Sequence, residues 1–592
     1  MKLDKETIII GIVALILVLS WEPLCRYMGW VPAAAPVAVA PAATAAPVLP
    51  AVTAATATPN AASAAASPAV PAASRTPAQT VCELPARTLT NSDLALEILP
   101  SAGAVAKVTL FKYRTADRKS DVVIDQLLST AIAGKKLQPG ALAVFTPGEE
   151  WHCLEVAANR KEGDDVYFLS RRLSGAGGEF LLTQSWKVAD RGYRTEYSVT
   201  IANPGKTPLI FPRLVVSDGE LNSWGEISGD HMRSDSLRLD YYTASGDFVD
   251  LAADAKDEAK FLKGGIEGVR WTSLSNKYFI SILQGEEPFR LYQARVASPA
   301  KPAQFIAATG AEYANVTIAA NSARTFKFSV YTGPKIVAEL ESFAPGANRT
   351  MHLAWGPLDY LARFLLWALI KLDHVFGSYG WSIVILTIIV RLLFWPVTAR
   401  ANASMKKMSA VQPKIQELRE KYKDNPQILN QKTMELYRTE KINPLGGCFP
   451  ILLQIPVFLA LYSTLDGAVE LRQVSFLWAH DLAAADTIAR LPGFLFNLPV
   501  NPLVIAMTVL MVVQQKMTPS AMDPMQQKMM LLMPVVMLFF LYDLPSGLTL
   551  YWTVSQIFSI LQLRLSQKFG LNAPVPATGT PDQKVKVKES TK

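Results

Sequence analysis

The chain has 592 residues, half of them hydrophobic, and a formal net charge of +8 at pH 7. This length allows several domains. The five histidines show no metal-ligand spacing and no basic stripe is interleaved with aromatic residues, which argues against a metal centre and a specific nucleic-acid site. The apolar and basic residues are unevenly distributed along the chain, a pattern typical of a multi-span membrane protein.

Residues 1–30 predict an N-terminal transmembrane anchor whose amino terminus lies in the cytoplasm. An almost unbroken apolar run from Thr7 to Trp21 follows two lysines. A cleaved signal peptide is the alternative, although charged residues follow the run directly and the nearest Ala-rich stretch begins near Ala33. Residues 31–80 are rich in Ala, Pro, Thr and Ser, and this composition predicts a semi-rigid disordered linker.

Residues 81–345 predict a large antiparallel β-sandwich outside the cytoplasm. Polar and apolar residues alternate there with period two, and turn signals such as Asn203-Pro-Gly separate the runs. Three segments show the alternation most clearly: 94–98, 193–201 and 326–330. A sugar-binding or catalytic module is the alternative, but paired carboxylates, a nucleophile elbow and a metal cluster are missing from this sequence, which favours a structural or interaction domain. Cys82 and Cys153 fall in this region, where a disulfide is allowed.

Residues 346–377 predict an amphipathic helix lying in the membrane interface. Apolar residues recur at helical spacing: Leu358, Leu361, Leu365, Leu369, Leu372 and Phe376. Asp359 and Arg363 are correctly spaced for an i,i+4 ion pair. A core helix of the sandwich domain is the alternative.

Residues 380–397 predict a membrane-spanning helix that contains one charge, Arg391. A guanidinium stays protonated in a protein, and placing it at mid-membrane costs about 2.5–3.5 kcal/mol on insertion scales. Arg391 therefore either extends toward the lipid headgroups or faces a hydrated, cationic pocket inside a helical bundle.

Residues 398–447 predict a cytoplasmic helical hairpin. Ten basic residues stand against five acidic ones, and the positive-inside rule places such a loop in the cytoplasm. Apolar residues recur at helical spacing on both sides of Asp424-Asn-Pro426, where the hairpin turns. The charges form either a solvated face or a docking site for the ribosome or a targeting factor.

The remaining spans predict a six-span topology with both termini in the cytoplasm. They cover residues 448–465, 501–516, 529–543 and 548–565, and a basic tail follows at 567–592. Polar Thr387, Gln454 and Gln514 lie within or near membrane depth, and nine of the 16 methionines lie between Met507 and Met537. Methionines often merely fill gaps, but together with a buried cation and scattered amides they indicate a wet groove for variable apolar guests, rather than a selective pore.

Several motifs resemble the YidC/Oxa family of membrane protein insertases, in its Gram-negative bacterial form. They are Gln412-Pro-Lys-Ile415, Asn443-Pro-Leu-Gly-Gly-Cys-Phe-Pro450, Asp523-Pro-Met-Gln-Gln-Lys528 and Pro545-Ser-Gly-Leu-Thr-Leu-Tyr551. The resemblance implies a bacterial inner-membrane protein with a five-helix α-helical insertase core, an N-terminal anchor helix and a large periplasmic all-β supersandwich domain.

The resemblance also implies a substrate groove in the inner leaflet, open to the cytoplasm and lipid and closed to the periplasm. Arg391 matches the groove arginine of the family and Thr387 its polar neighbour, while Phe458, Met511 and Trp552 fall where members contact a nascent transmembrane segment. Trp552 departs from the expected tyrosine, although Tyr551 lies beside it. The predicted groove residues are Thr387, Arg391, Gln454, Phe458, Met511, Gln514, Tyr551 and Trp552.

The expected partners are nascent transmembrane segments of inner-membrane proteins, the Sec translocon and membrane lipid, with the ribosome and signal recognition particle or its receptor binding the hairpin and basic tail. The sequence predicts no catalytic residue, cofactor or metal, and it contains no P-loop motif. A small-solute transporter or channel and a membrane-anchored periplasmic carbohydrate-active protein are the alternatives. Inverted repeats, which would favour a transporter, are not evident.

Overall fold

The computed structural model describes residues 84–115, 120–125, 131–132, 135–136, 141–175, 177–219, 221, 237–252, 265–297, 305–354, 356–423, 425–440, 442, 449–491, 498–518, 532–538 and 541–568. The predicted anchor, the linker and nearly all of the basic tail lie outside this set. Cys153 is disulfide-bonded, and its predicted partner Cys82 also lies outside the described residues.

The first part of the described chain is β-rich, as predicted. Its strands are β1 (Arg87–Thr90), β2 (Leu94–Leu99), β3 (Ala104–Arg114), β4 (Asp121–Asp125), β5 (Ala131–Ile132), β6 (Lys135–Lys136), β7 (Val144–Phe145), β8 (His152–Glu162), β9 (Val166–Gly175), β10 (Gly178–Val188), β11 (Arg194–Asn203), β12 (Leu209–Gly219), β13 (Arg238–Thr243), β14 (Phe248–Ala252), β15 (Val269–Ser275), β16 (Phe279–Ala297), β17 (Phe305–Ile318) and β18 (Ser322–Pro334).

These strands form an antiparallel domain that we call the β domain. A four-stranded sheet has the order β1-β2-β3-β4, and the largest sheet runs β14-β13-β15-β16-β18-β11-β10-β9-β8. The long strand β16 changes partner along its length, since residues 279–285 pair with β18 and residues 290–297 pair with β17. Gly285 ends the first pairing, where a Cβ atom would lie 2.7 Å from the Glu287 carbonyl oxygen.

The predicted alternation in 193–201 appears as alternating burial along β11. Tyr197, Val199 and Ile201 are buried, and the residues between them are partly exposed. The Tyr197 ring packs against Trp186 on β10 and Phe328 on β18, with centroid distances of 5.4 and 6.1 Å. Burial of these large aromatic side chains is the main favourable term in the stability of this part of the domain.

Helices dominate after the last strand of the β domain. They are α1 (Val337–Phe343), α2 (Pro357–Phe376), α3 (Tyr379–Ala410), α4 (Gln412–Lys421), α5 (Pro426–Thr439), α6 (Phe449–Gly467), α7 (Pro502–Met517), α8 (532–538) and α9 (Ser546–Lys568). Two short 3-10 helices cover Ala347–Met351 and Val469–Leu471, and strands β19 (Ala489–Leu491) and β20 (Leu498–Val500) pair between α6 and α7. By length and composition, α3 alone among the described helices could cross a membrane, and α7 is a shorter apolar helix.

Helix α3 is longer than the span predicted at 380–397, because it continues through Pro396 to Ala410. The residues after Pro396 are rich in Ala, Met and Lys, which favour helix strongly enough to outweigh one proline. The Thr398 hydroxyl, one turn after Trp395, bonds to the Phe394 and Trp395 carbonyl oxygens at 3.1 and 3.0 Å. The hairpin predicted at 398–447 therefore consists of α4 and α5, which follow the end of α3.

Helix α2 packs its apolar face against α3 and α6. Ala362, Leu365, Leu366 and Leu369 are buried, and the Thr464 hydroxyl of α6 donates to the Ala362 carbonyl oxygen at 3.1 Å. The predicted pair is formed, since Arg363 Nε lies 2.6 Å from Asp359 Oδ2.

The β domain is bonded to the end of α6 and to the segment that follows it. Lys277 Nζ lies 2.8 Å from Asp466 Oδ2, and the Tyr278 hydroxyl donates to the Asp466 carbonyl oxygen at 3.0 Å. The Gln473 side chain donates to the Arg114 and Thr115 carbonyl oxygens at 2.9 and 3.0 Å. These bonds connect one end of the helical region directly to the β15–β16 turn and to the end of β3.

Glu470 lies inside this junction. Its two carboxylate oxygens are buried, and neither has a hydrogen bond from another residue in the described part of the chain. Its charge acts on the hydroxyls of Tyr113 in β3 and Tyr379 in α3. Burial raises the pKa of Glu470 to about 7.

We expect Glu470 to make the stability of the folded protein fall as the pH rises from about 4.5 to about 7. In that window the folded state holds a proton that the unfolded chain has released, so ionisation costs up to about 3 kcal/mol of stability. Glu470→Gln should raise the melting temperature of the detergent-purified protein at pH 8 and change it little at pH 4.5. Glu267→Gln, at an exposed site, is the control. An equal response of both variants at both pH values would contradict this assignment.

Candidate functional site

Arg391 lies near the middle of the apolar part of α3. It follows Trp381 by ten residues and precedes Arg400 by nine, and the intervening side chains are apolar except for Ser382, Thr387 and Thr398. The side chain is partly buried, and its Nε has no hydrogen-bond partner among the described residues. The guanidinium is therefore incompletely satisfied by protein groups.

The neighbours of Arg391 in the interior are polar but neutral. On α6 the Gln454 side chain donates a hydrogen bond to the hydroxyl of Tyr551, which lies on α9 and is buried. The charge of Arg391 acts on the Tyr551 hydroxyl. Three helices thus contribute one predicted groove residue each to a group that we call the polar cluster: Arg391, Gln454 and Tyr551.

An aromatic pair adjoins the polar cluster. Phe458 follows Gln454 by one turn of α6, and Trp552 follows Tyr551 on α9. Their rings form an edge-to-face contact with centroids 4.9 Å apart and an interplanar angle of 65°. Both side chains are partly buried, so they present an apolar wall beside a polar one.

The other three predicted groove residues make no described hydrogen bond to the polar cluster. Thr387 is fully buried, and its hydroxyl donates to the Ile383 carbonyl oxygen of its own helix at 2.6 Å. Met511 and Gln514 lie one turn apart on α7 and are partly buried. Within the described part of the chain, contacts join Gln454 to Tyr551 and Phe458 to Trp552, and the charge of Arg391 acts on Tyr551. Thr387, Met511 and Gln514 are not joined to this group by a described contact.

Sequence reasoning missed polar residues on the buried face of α9. The Gln562 side chain donates to the Thr398 hydroxyl on α3 at 2.9 Å, and Trp395 and Phe558 form an edge-to-face contact at 5.6 Å next to it. Ser555 is buried, and its side chain interacts with the Tyr551 hydroxyl one turn earlier in α9. Ser555 and Gln562 follow Tyr551 by four and eleven residues, a spacing that places all three on one helix face and was readable from the sequence.

The structure also brings together three possible metal ligands that are far apart in the sequence. Ligand atoms of Asp240, Asp250 and His352 all lie within 4.8 Å of one another. The two His352 ring nitrogens face different carboxylates, at 3.0 Å from Asp240 and 3.5 Å from Asp250, and Arg238 already pairs with Asp250 at 2.8 Å. Burial raises the pKa of Asp240 and lowers that of His352, so it favours the neutral form of both groups. We interpret the group as a set of polar interactions that connects β13 and β14 to the segment before α2, with Arg238 balancing the charge of Asp250.

Two family models together match most of the described chain, and they meet within α2. Residues 87–368 match the family model of the YidC periplasmic domain, and residues 371–572 match that of the 60Kd inner membrane protein. A membrane protein insertase YidC from Polynucleobacter asymbioticus is 31% identical over 498 residues, which cover 81% of this chain and 84% of that protein. One from Geobacter metallireducens is 32% identical over 479 residues, covering 78% and 81%.

The chain belongs to the YidC family of membrane protein insertases. The resemblance identified from the sequence motifs is confirmed, and with it the family function of membrane protein insertion. A crystal structure of an active YidC insertase with its first transmembrane domain resolved covers 82% of this chain and 95% of its own, at 17% identity. Its TM-score to this chain is 0.34.

We expect the Gln562–Thr398 hydrogen bond to join α3 and α9 below the polar cluster of this YidC-family protein. Gln562→Leu and Thr398→Val should each destabilise the protein in mixed micelles, and the two effects should couple by about 0.5–1 kcal/mol. A double-mutant cycle on the free energy of unfolding measures this coupling. Thr518→Val is the matched control, because the Thr518 hydroxyl bonds to the Gln514 carbonyl oxygen of its own helix at 2.9 Å and to no other helix among the described residues. Additive effects for Gln562→Leu with Thr398→Val would show that the bond contributes nothing.

Proposed function

We propose that this protein inserts nascent membrane proteins through a hydrated groove lined by the polar cluster and the Phe458–Trp552 wall. In this proposal the chain crosses the bacterial inner membrane six times, with both termini in the cytoplasm and the β domain in the periplasm. The charge distribution supports this orientation, because the α4–α5 hairpin and the tail carry the excess of basic residues. The five-helix core consists of α3, α6, α7, α9 and the segment that contains α8.

The position of Arg391 is the observation that carries the proposal. At 1.5 Å per residue, it lies about 15 Å from Trp381 and about 14 Å from Arg400 along α3, and a bilayer has a hydrocarbon core of about 30 Å. If Trp381 and Arg400 mark the two boundaries, Arg391 lies at the midplane, too deep for its side chain to reach either headgroup layer. No ion pair to Arg391 occurs among the described residues, so water must solvate its charge.

The proposed mechanism needs no covalent chemistry. The polar or acidic amino-terminal stretch of a client enters the groove, where Arg391 and water lower its desolvation cost. The apolar segment of the client then passes along Phe458, Tyr551 and Trp552 into lipid. Burial of apolar surface supplies about 25 cal/mol per Å², and the membrane potential assists the outward movement of acidic tails.

The cytoplasmic hairpin supports an additional docking role toward the ribosome or signal recognition particle and its receptor. Val411, Ile415 and Ile442 form a small buried core of the hairpin, which leaves most of its basic side chains at the surface. Cooperation with the Sec translocon belongs to the same proposal. The transporter alternative has no support from internal repeats, and the carbohydrate-active alternative predicts that the β domain alone turns over a sugar.

We expect photo-crosslinking to place a client segment against the groove wall. A photoreactive residue at Phe458, Met511 or Trp552 should crosslink to a ribosome-bound chain only after its transmembrane segment has left the ribosome. The same probe at Leu393, an exposed residue of α3, is the control for non-specific contact in the membrane. Silence at all three positions in folded, labelled protein would overturn the groove assignment.

We expect loss of the Arg391 charge to affect clients according to the charge of their amino-terminal tail. Arg391→Ala should reduce insertion of a client with an acidic tail about tenfold, equivalent to about 1.4 kcal/mol, and that of the same client with a neutral tail much less. Arg391→Lys should retain most of the activity because it keeps the charge. Arg400→Ala, at the predicted membrane boundary, serves as the charge-matched control. Protease protection of both clients in proteoliposomes measures insertion, and equal losses for the two tails would contradict an electrostatic role.

A further inference from the structure

The loop between α6 and α7 exposes large apolar side chains at a tight turn. Phe476 and Ala479 exchange backbone hydrogen bonds of 2.8 and 3.0 Å, so Leu477 and Trp478 form the tip. Leu477 is 68% exposed and has φ of +54°, a conformation that a leucine rarely adopts. Trp478 is 42% exposed.

The turn is held firmly on the ends of the helices. The Trp478 indole N–H donates to Asp486 Oδ2 at 3.0 Å, and the same oxygen accepts the Leu503 backbone N–H at the start of α7 at 2.7 Å. The Ser546 hydroxyl at the start of α9 donates to the Asp481 carbonyl oxygen at 2.7 Å. The turn is therefore hydrogen-bonded to the starts of α7 and α9, and these bonds hold Leu477 in its exposed position.

The turn also adjoins the start of the long helix α3. The Phe476 ring contacts the Trp381 ring edge-to-face at 5.5 Å and lies over Gly380, where a Cβ atom would be 2.1 Å from the ring. Trp381 is itself 53% exposed. Three exposed apolar side chains, Trp381, Leu477 and Trp478, thus project at the same end of the helical bundle, and we call them the outer wedge.

We propose that the outer wedge inserts into the lipid of the outer leaflet and fixes the depth of Arg391 in the membrane. The inference rests on the orientation and groove given under the proposed function. Tryptophan is the residue that membrane proteins concentrate at the bilayer interface, and a fixed apolar turn is suited to lipid contact. The length of α3 favours lipid as the partner of the outer wedge. If lipid contact holds Trp381 at the outer boundary of the bilayer, Arg391 lies about 15 Å below it, at mid-membrane.

The first test uses the full-length protein in vesicles of phosphatidylethanolamine and phosphatidylglycerol. p-Benzoylphenylalanine in place of Leu477 should give, on illumination, a protein mass increased by one phospholipid. The same residue in place of Leu393, which is 70% exposed on α3, is the positive control, and in place of Ile210, which is 53% exposed on β12, the negative control. A yield at Leu477 equal to that at Ile210, or adducts in native membranes to protein instead of lipid, would overturn the proposal.

A second measurement tests the effect on depth. A fluorescent amino acid in place of Leu393 reports its depth through quenching by phospholipids brominated at different acyl carbons. Leu477→Ser should shift the bromine position of strongest quenching, whereas Ile210→Ser should leave it unchanged. An unchanged profile in folded Leu477→Ser protein would overturn the depth-setting role.

The outcomes separate this inference from the proposed function. Client crosslinks at Phe458 without lipid adducts at Leu477 would overturn the outer wedge alone. Lipid adducts at Leu477 without any client crosslink in the groove would overturn the groove and leave the lipid contact established.

Discussion

The helical region is organised by one uncompensated cation. Arg391 lies among helices whose nearest contributions to it are a neutral amide and a neutral phenol, and no carboxylate in the described residues pairs with it. A carboxylate partner would neutralise the guanidinium and allow the helices to close over a dry ion pair. Neutral partners leave a net positive charge that only water or a passing anionic group can solvate. The groove that we propose is in this sense a consequence of the absence of a counter-charge among the described residues.

The polar residues around this cation divide into two kinds. Thr387, Thr508 and Thr553 donate to the carbonyl oxygen four residues earlier in their own helix, at 2.6, 2.9 and 2.7 Å. These hydroxyls therefore need no hydrogen-bond partner on a neighbouring helix. The Gln454–Tyr551 and Gln562–Thr398 bonds instead join different helices. Polar groups of the second kind fix which helices are neighbours, whereas those of the first kind only reduce the cost of a hydroxyl in an apolar setting.

The sequence predicted those features that depend on local periodicity. Alternation along β11 and the i,i+4 pair of Asp359 and Arg363 both follow from a repeat within a few residues. The extension of α3 to Ala410 was missed because a proline in the sequence signals an end of helix, while the following residues favour continuation.

Features that depend on distant residues were not readable in the same way. Asp240 and His352 are 112 residues apart and meet only because β13 lies beside the segment before α2. The motif resemblance implied groove residues such as Arg391 and Phe458, but only the structure joins Gln454 to Tyr551 and Gln562 to Thr398 across helices. Neither the spacing nor the composition of the sequence predicts which of several buried side-chain amides forms a hydrogen bond to another helix.

The two walls of the proposed groove both lead to one loop, between α6 and α7. The wall that carries Phe458 continues along α6 to Asp466, which Lys277 and Tyr278 of the β domain hold in place. The wall on α9 begins at Ser546, which bonds to the Asp481 carbonyl oxygen in the same loop. A displacement of the β domain relative to the helices must therefore strain this loop and, through it, both walls. The β domain is thus connected mechanically to the proposed groove, although none of the proposed groove residues belongs to it.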